Sequence, residues 1–253
     1  MKKYCLDMTT SQVVHINEKY VLLKLTHEDI LPEMLPGQFV EVRVDGSPTT
    51  FLRRPISINN VDKERNELHL LVACIGDGTK RLGMLKEGEK VNVVLPLGNG
   101  FSMENGKRLL VGGGVGVAPL LYLGHRLKEK GVEPTFLLGA RSAKDLLMIE
   151  DFKAVGRVFV TTEDGSEGEK GFVTDHTIWE KETYDIVSTC GPGPMMKAVA
   201  RKAKEKRGKC EVSLENRMAC GVGACLCCVE KTKDRGNVCV CTEGPVFDAE
   251  ELW

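Results

Sequence analysis

The 253-residue sequence lacks several features that would assign a class of protein at once. No uninterrupted apolar stretch approaches the roughly 20 residues that span a bilayer. The first residues, MKKYCLDMTTSQVV, contain two lysines but not the apolar run of a secretory signal. There is also no internal repeat and no low-complexity linker. We therefore expect a cytoplasmic protein that makes no contact with a membrane.

An excess of one charge is also missing. The 35 Lys and Arg residues balance 36 Asp and Glu residues, which gives a formal net charge of -1. The densest basic stretch, AVARKAKEKRGK at residues 198–209, is typical of the solvated end of a helix that stops at Gly208. This balance argues against a nucleic-acid partner, and we expect none.

Cysteine, by contrast, is abundant and unevenly placed. Six of the ten cysteines fall within residues 220–241, and in a reducing compartment such crowding indicates metal or redox chemistry. Three are separated by four and then two residues, and another follows after twelve more, which is the plant-type spacing for a [2Fe–2S] cluster. Gly221 and Gly223 would let the loop point backbone N–H groups at the sulfurs. The proposed ligands are Cys220, Cys225, Cys228 and Cys241.

A structural zinc site is the competing interpretation of this cluster, because zinc also accepts four cysteines. Zinc motifs usually pair two short knuckles across a longer gap, which a three-cysteine loop with one distant ligand matches poorly. Cys227 and Cys239 stand beside the proposed ligands, and we interpret both as small buried hydrophobic residues.

The apolar pattern divides the chain into three parts. From Gln12 to about Pro96, short alternating runs between Pro, Gly and Asp turns predict about six strands of an antiparallel β-barrel. Strand and helix patterns then alternate, which predicts a doubly wound α/β domain with about five parallel strands. The remaining residues show no long periodic element and would need a metal centre to fold. The expected domains are residues 1–101, 102–209 and 210–253.

Two short motifs in the barrel are suited to a flavin. LRRPISI, at residues 52–58, is interpreted as the end of a strand, where Arg54 could neutralise a diphosphate and Ser57 could approach a flat ring. GDGTKRL, at residues 76–82, offers glycines and Thr79 before a helix, which is a plausible phosphate cradle. Either motif alone could be an ordinary strand end or turn.

Two further motifs predict a dinucleotide site in the α/β domain. VGGGVGVAPL, at residues 111–120, lies between a strand and a helix that Pro119 opens, although its glycine spacing departs from the usual Rossmann fingerprint. STCGPGPMMKAV, at residues 188–199, repeats this strand–turn–helix arrangement. Parallel strand ends open onto one edge of a sheet, so the two loops should form one crevice.

Taken in order, these motifs resemble the ferredoxin reductase superfamily over nearly the whole chain. The terminal cluster, MACGVGACLCCV followed by CTEGPVF, is most similar to the electron-transfer subunits of type B dihydroorotate dehydrogenase. The resemblance implies an FAD-binding barrel, an NAD-binding domain and a C-terminal [2Fe–2S] segment. The residues it implies for FAD are Arg54, Pro55, Ile56, Ser57, Leu71, Val72, Ala73, Gly78 and Thr79. Those it implies for NAD are Gly113, Gly114, Gly116, Cys190, Gly191 and Pro192.

Two positions qualify this assignment. The superfamily often has an aromatic residue where Ile56 stands, so ring stacking from that position is not expected. Arg141 could meet a ribose or a 2′-phosphate, which leaves NAD and NADP both open.

The resemblance also implies a role in pyrimidine biosynthesis. A partner FMN-containing dihydroorotate dehydrogenase catalytic subunit would pass electrons through the cluster and FAD to NAD⁺, in a heterotetramer of two copies of each subunit. This chain shows no carboxylate and base pair arranged for dihydroorotate, so we assign it no catalytic residue. One alternative is an NAD(P)H-linked reductase subunit of a hydrogenase, sulfide dehydrogenase or ferredoxin system. Another is a zinc-stabilised nucleotide-binding module without electron transfer.

Overall fold

The structure is a computed structural model that describes residues 2–253. Its first part is a closed antiparallel barrel. It has six strands, which agrees with the predicted number of about six. The elements are β1 (Tyr4–His15), β2 (Tyr20–Thr26), β3 (Phe39–Val42), β4 (Arg54–Asp62), β5 (Glu67–Ala73), α1 (Asp77–Gly83) and β6 (Lys90–Leu97). The strands follow the order β1-β2-β5-β4-β3-β6 around the barrel.

The barrel begins earlier than the sequence pattern predicts. The first strand starts at Tyr4 rather than near Gln12, because residues 4–9 pair with β6 from Leu95 back to Lys90. Inward-facing side chains such as Leu23, Leu68 and Val93 are fully buried, and each contributes about 1.5–3 kcal/mol relative to exposure.

A mostly parallel sheet forms the second part, and it confirms the predicted α/β architecture. Its strand order is β10-β9-β8-β7-β11-β12-β15, and only β15 runs antiparallel to its neighbour. The strands are β7 (Arg108–Gly113), β8 (Thr135–Ala140), β9 (Arg157–Thr162), β10 (Glu169–Lys170), β11 (Ile186–Cys190), β12 (Lys209–Ser213) and β15 (Val246–Asp248). The helices are α2 (Ala118–Glu129), α3 (Ile149–Val155), α4 (Ile178–Lys181) and α5 (Gly193–Glu205), with 3-10 turns at Gly114–Val117 and Ala143–Asp145.

The strand pattern explains where the loops meet. Every residue of β7 is buried, as expected for a central parallel strand covered on both faces. This strand lies between β8 and β11, so the glycine-rich loop after β7 and the CGPGP loop after β11 leave the sheet side by side. Pro119 lies in the first turn of α2, as predicted, and Gly131, at φ +78°, follows its end.

The C-terminal segment is irregular and packs against both other parts. The expected boundary between residues 209 and 210 falls inside β12, so the chain leaves the sheet only after Ser213. The remaining elements are β13 (Val229–Lys231), β14 (Asn237–Cys239), α6 (Val240–Glu243) and α7 (Ala249–Leu252). The backbone N–H of Asn99 donates to the Gly244 carbonyl, which fixes this segment to the end of the barrel.

None of the helices within residues 2–253 is both long enough and apolar enough to cross a membrane.

Candidate functional site

A cavity of about 220 Å³ lies where the barrel, the sheet and the C-terminal segment meet. Ser57 and Phe39 are cross-strand partners on β4 and β3, and both line the cavity. Its apolar walls and single small hydroxyl residue on β4 suit a flat ring with polar edges. The predicted FAD residues in its lining are Pro55, Ile56, Ser57, Leu71, Ala73 and Thr79.

The structure corrects two predictions about the FAD residues. LRRPISI does not end a strand, because β4 begins at Arg54 and continues to Asp62. The side chain of Val72 packs in the barrel interior at 0% exposure, whereas Leu71 and Ala73 line the cavity. Successive residues of a strand point to opposite faces, so only the backbone of Val72 could face a flavin.

A groove of about 400 Å³ shares Ala73 and Thr79 with this cavity. Arg54 lines the groove, and its Nε donates to the Arg53 carbonyl at 2.9 Å. Thr79 Oγ1 accepts from the backbone N–H groups of Ile75 and Gly76, both at 3.1 Å, and this bonding orders the turn before α1. A guanidinium beside a glycine-rich turn can bind a diphosphate.

Gly78 lets this groove form. A methyl group at that position would lie 2.9 Å from Thr50 Cγ2 and 3.3 Å from Arg54 Cδ, so a larger residue would displace the arginine. The predicted pair Gly78 and Thr79 therefore shapes the groove as well as lining it.

Three of the six predicted NAD residues line a crevice between the β7 and β11 loops. This cavity of about 680 Å³ is lined by Gly113, Gly114 and Pro192, and Arg141 borders it from the end of β8. Carboxylates of Asp145 and Glu163 also line it. A dinucleotide could lie here against bare backbone, as at other crevices of parallel sheets.

The other three predicted NAD residues lie behind the crevice wall. A methyl group on Gly116 would lie 2.5 Å from both the Cys190 carbonyl oxygen and Gly191 Cα, so glycine is needed for the two loops to touch. Cys190 is fully buried, and burial raises the pKa of its thiol. Gly191, at φ +153°, packs against Gly113. These residues join the loops rather than line the crevice.

Sequence reasoning missed several residues that line the two cavities. Residues 214–216 and Met218 follow β12 and close the ring cavity together with Pro245, Val115 and Ala118. Burial raises the pKa of the Glu215 carboxyl in this position. Lys19 and Tyr20 of the barrel and Phe172 line the nucleotide crevice. The residues after β12 could have been predicted as site residues, because β12 is parallel to β11 and ligands bind at the carboxyl ends of parallel strands.

The cysteine loop directs backbone N–H groups at sulfur, as its glycines predict. The N–H groups of Val222 and Ala224 lie 3.4 and 3.3 Å from Cys220 Sγ, and that of Gly223 lies 3.1 Å from Cys241 Sγ. The loop reaches this shape through positive φ angles at Gly221 and Gly223. The Val222 N–H leads the contacts that lower the pKa of Cys220 to about 6. Such donors stabilise thiolate sulfur.

The four predicted ligands approach one another as two pairs. The Cys225 side chain helps to lower the pKa of Cys220, and the Cys228 side chain helps to raise the pKa of Cys241, whose backbone N–H donates to Cys228 Sγ at 3.4 Å. No three Cys, His, Asp or Glu side chains within residues 2–253 are grouped as ligands of one metal ion. Two cysteine pairs can supply two ligands to each iron of a [2Fe–2S] cluster. Cys227 is exposed and Cys239 half-buried, so neither is the buried hydrophobic residue expected from the sequence.

Comparison with known proteins agrees with this arrangement. The model for the iron-sulfur cluster binding domain of dihydroorotate dehydrogenase B matches residues 215–253, and that for the oxidoreductase NAD-binding domain matches residues 110–201. A relative from Shouchella clausii (strain KSM-K16), named dihydroorotate dehydrogenase B (NAD(+)), electron transfer subunit, is 46% identical over 86% of each chain. A relative of the same name from Bacillus cereus (strain Q1) is 40% identical over 97% of this chain and 99% of its own.

The chain belongs to the family of dihydroorotate dehydrogenase B (NAD(+)) electron transfer subunits. It is therefore an oxidoreductase subunit whose family name implies a separate catalytic partner. A solved structure of NADH-dependent reduced ferredoxin-NADP oxidoreductase, described for flavin-based electron bifurcation, is 34% identical with a TM-score of 0.87. It covers 98% of this chain and 90% of its own, and it confirms the ferredoxin-reductase fold of this electron transfer subunit.

Proposed function

We propose that this electron transfer subunit carries electrons from an FMN-containing dihydroorotate dehydrogenase catalytic subunit through a [2Fe–2S] cluster and FAD to NAD⁺. The observation that carries the proposal is that the sites adjoin. Met218 lines the ring cavity two residues before Cys220, and Val115 of the glycine-rich loop lines the same cavity. When bound, the cluster exchanges single electrons, flavin exchanges one or two, and nicotinamide accepts a hydride.

In this proposal each group of residues has one task. Arg54 and the turn at residues 76–79 would hold the FAD diphosphate, while Ser57, Leu71 and Ala73 would contact its ring. The crevice beside Gly113, Gly114 and Pro192 holds NAD, and contact between Gly116 and residues 190–191 keeps the crevice loops together. The four cysteines hold the cluster near the surface, where Cys225 is exposed. Exposure of one ligand supports electron entry from a partner at this loop.

The orotate chemistry falls to the partner, and we infer a heterotetramer with two copies of each subunit. We also place the complex in the cytoplasm. All ten cysteines are free thiols, and a reducing compartment keeps cluster ligands in that state.

The decisive experiment is anaerobic analysis of the purified chain followed by reconstitution with the catalytic subunit. We expect about one FAD and two irons per chain, bleaching by NADH, and NAD⁺ reduction that requires dihydroorotate and both subunits. A Cys225→Ser chain is the matched control, because it should keep FAD but lose dihydroorotate-dependent NAD⁺ reduction. Bound zinc without flavin would refute the proposal.

A second candidate rests on the solved relative. That relative is an NADH-dependent reduced ferredoxin-NADP oxidoreductase, and its chain matches this one along nearly the whole length. This candidate predicts that reduced ferredoxin replaces dihydroorotate and the catalytic subunit as the electron source. Adding reduced ferredoxin to the purified chain alone and measuring NADH formation separates the two.

A further inference from the structure

Glu41 is a buried carboxylate at the centre of a barrel strand. It lies on β3 between Val40 and Val42, whose side chains are fully buried in the barrel core, and so it faces the other side of the strand. That side is covered, because Glu41 is only 1% exposed. Neither carboxylate oxygen has a hydrogen-bond partner within residues 2–253.

The cover over Glu41 is the cysteine loop. A methyl group on Gly221 would lie 2.8 Å from Glu41 Cγ and 3.3 Å from its Oε1, and 3.0 Å from Leu97 Cδ1. Gly221 directly follows the cluster ligand Cys220. On the neighbouring strand β4, the cross-strand partner of Glu41 is Pro55, which lines the ring cavity. The carboxyl group thus lies under the cluster loop, on the same face of the sheet as Pro55.

An ionisable group in this place is costly to the fold. Burying a carboxyl group without hydrogen bonds destabilises the fold, and an apolar residue of similar size would avoid that penalty. The guanidinium groups of Arg53 and Arg54 offset the buried charge only from a distance, without direct contact with the carboxylate. Arg53 donates to the backbone carbonyl of Glu41 and to Asn92, and neither Arg53 nor Arg54 forms an ion pair with Glu41 within the described residues. Burial raises the pKa of Glu41 to about 7, against the influence of both arginines.

We propose that the carboxylate of Glu41 tunes the cluster, lowering its reduction potential by holding negative charge against the loop of Cys220 and Gly221. The inference rests on the proposed function, because it requires the cluster to be bound. A negative charge disfavours the arrival of a further electron, and a buried charge is poorly screened by salt. One electron on the reduced cluster would then pass more readily to the flavin.

The charge of Glu41 should affect the cluster and the flavin unequally. Arg54 lines the groove beside β4 and offsets the charge on the flavin side, whereas Arg53 reaches across β3 to Asn92 on β6. On the cluster side, the backbone at Gly221 lies directly against the Glu41 side chain, because a methyl group on this glycine would be 3.3 Å from Oε1. Neutralising Glu41 should therefore change the cluster potential more than the FAD potential.

The test is a redox titration of the loaded, full-length Glu41→Gln chain at alkaline pH, with the cluster followed by EPR and FAD by absorbance. We expect the cluster potential to rise by at least a tenfold change in its electron equilibrium, about 59 mV for one electron, and the FAD potential to move less. The matched control is Glu64→Gln, which removes an exposed carboxylate in the β4–β5 hairpin, at the far end of β4 from Arg54. It should leave both potentials unchanged.

A second variant guards against failure of the first to fold. Glu41→Met removes the same charge without burying an unpartnered amide, and it should raise the cluster potential in the same way. Either variant with full iron and FAD but an unchanged cluster potential overturns the inference and leaves the relay standing. Loss of iron from both variants also overturns it, since Glu41 would then hold the loop rather than tune the cluster. A wild-type chain without a cluster refutes the proposed function instead.

Discussion

The nucleotide sites and the cluster site are built in different ways. The ring cavity and the NAD crevice are formed by strands whose paired neighbours hold them in place, such as Ser57 opposite Phe39 and Cys190 opposite Gly112. The cluster loop, residues 219–228, contains no helix or strand, and the two-stranded sheet that follows it has three residues per strand. The first two sites are therefore preformed by the fold, whereas the third depends on bound metal to hold its shape.

Glycine serves the two regions differently as well. At Gly116 a side chain would collide with a neighbouring backbone, so glycine permits close contact between two ordered loops. At Gly221 and Gly223 the φ angles are +65° and +82°, so glycine permits the curvature that directs N–H groups at sulfur. In the sheet, glycine lets the backbones of two loops touch. In the cluster loop, glycine lets one loop curve around the cysteine sulfurs.

The largest effect should come from a buried cluster ligand. We expect Cys228→Ser to reduce bound iron more than tenfold while FAD stays bound, because Cys228 is 2% exposed and pairs with Cys241 at the buried end of the loop. Hydrogen exchange should then show opening of the segment after Ser213 without opening of the barrel. Iron analysis, FAD absorbance and exchange mass spectrometry measure the three quantities.

Cys227→Ser is the matched control, since it changes the same atom at the adjacent position. It should retain iron and FAD, because Cys227 is exposed and belongs to neither thiol pair. Loss of FAD together with iron in Cys228→Ser would contradict the view that the barrel site forms independently of the cluster.

The next effect concerns FAD. Replacing Arg54 with Gln should weaken FAD binding about 10- to 100-fold, because a charge-assisted contact to a phosphate contributes about 1.5–3 kcal/mol. Iron content should not change, since Arg54 belongs to the preformed groove. Titration of the FAD-free chain by fluorescence quenching measures the affinity. The control, Arg65→Gln, removes an exposed arginine in the β4–β5 hairpin and should bind FAD normally.

Local patterns were enough to predict the parts of the site that lie within one stretch of chain. The cysteine spacing and each strand–glycine–helix unit could be read directly, and the barrel and sheet followed from alternation and apolar runs. Patterns could not show that β1 begins at Tyr4, since those residues are fixed only by pairing with β6. Nor could they show that Arg54 opens β4 rather than ending a strand.

The missed residues share one cause, which is that they depend on topology. The ring cavity is reached by residues 214–216 and Met218 only because they follow β12, which pairs beside β11. The domain boundary expected at residue 209 separated β12 from the rest of that sheet. Tyr20 reaches the NAD crevice from another domain. Glu41 reads as one polar position in an alternating strand, and only the structure shows that the cysteine loop covers it.

A smaller effect should follow from enlarging Gly116. Gly116→Ala places a methyl group 2.5 Å from backbone atoms, which cannot move aside as a side chain could. We expect a loss of about 1–3 kcal/mol in the free energy of unfolding and weaker NADH binding, with FAD and iron retained. Urea unfolding and NADH titration measure these changes. Gly193→Ala is the control, because its methyl group would meet open space, and equal losses in both variants would argue against loop contact as the cause.

The smallest effect should come from Glu182, which lies where the parallel strands β7 and β9 begin, at the opposite end of the sheet from the NAD crevice. Glu182 accepts from Lys107 at 2.8 Å and Arg157 at 2.7 Å, and these contacts lower its pKa to about 2. Because the folded pKa lies below the unfolded value of about 4.3, the stabilisation is complete above pH 4.3 and is lost as pH falls toward 2. Solvent screening limits it to less than about 1 kcal/mol.

Glu182→Gln should therefore lower the free energy of unfolding at pH 7, and the difference from the wild-type chain should narrow as the pH falls below about 4.3. Urea unfolding followed by the fluorescence of buried Trp179, on the adjacent helix α4, reports this region. Glu133→Gln, at an exposed position before β8, should show no pH-dependent difference. A constant difference between Glu182→Gln and wild type across this range would mean that packing, rather than charge, is what Glu182 contributes.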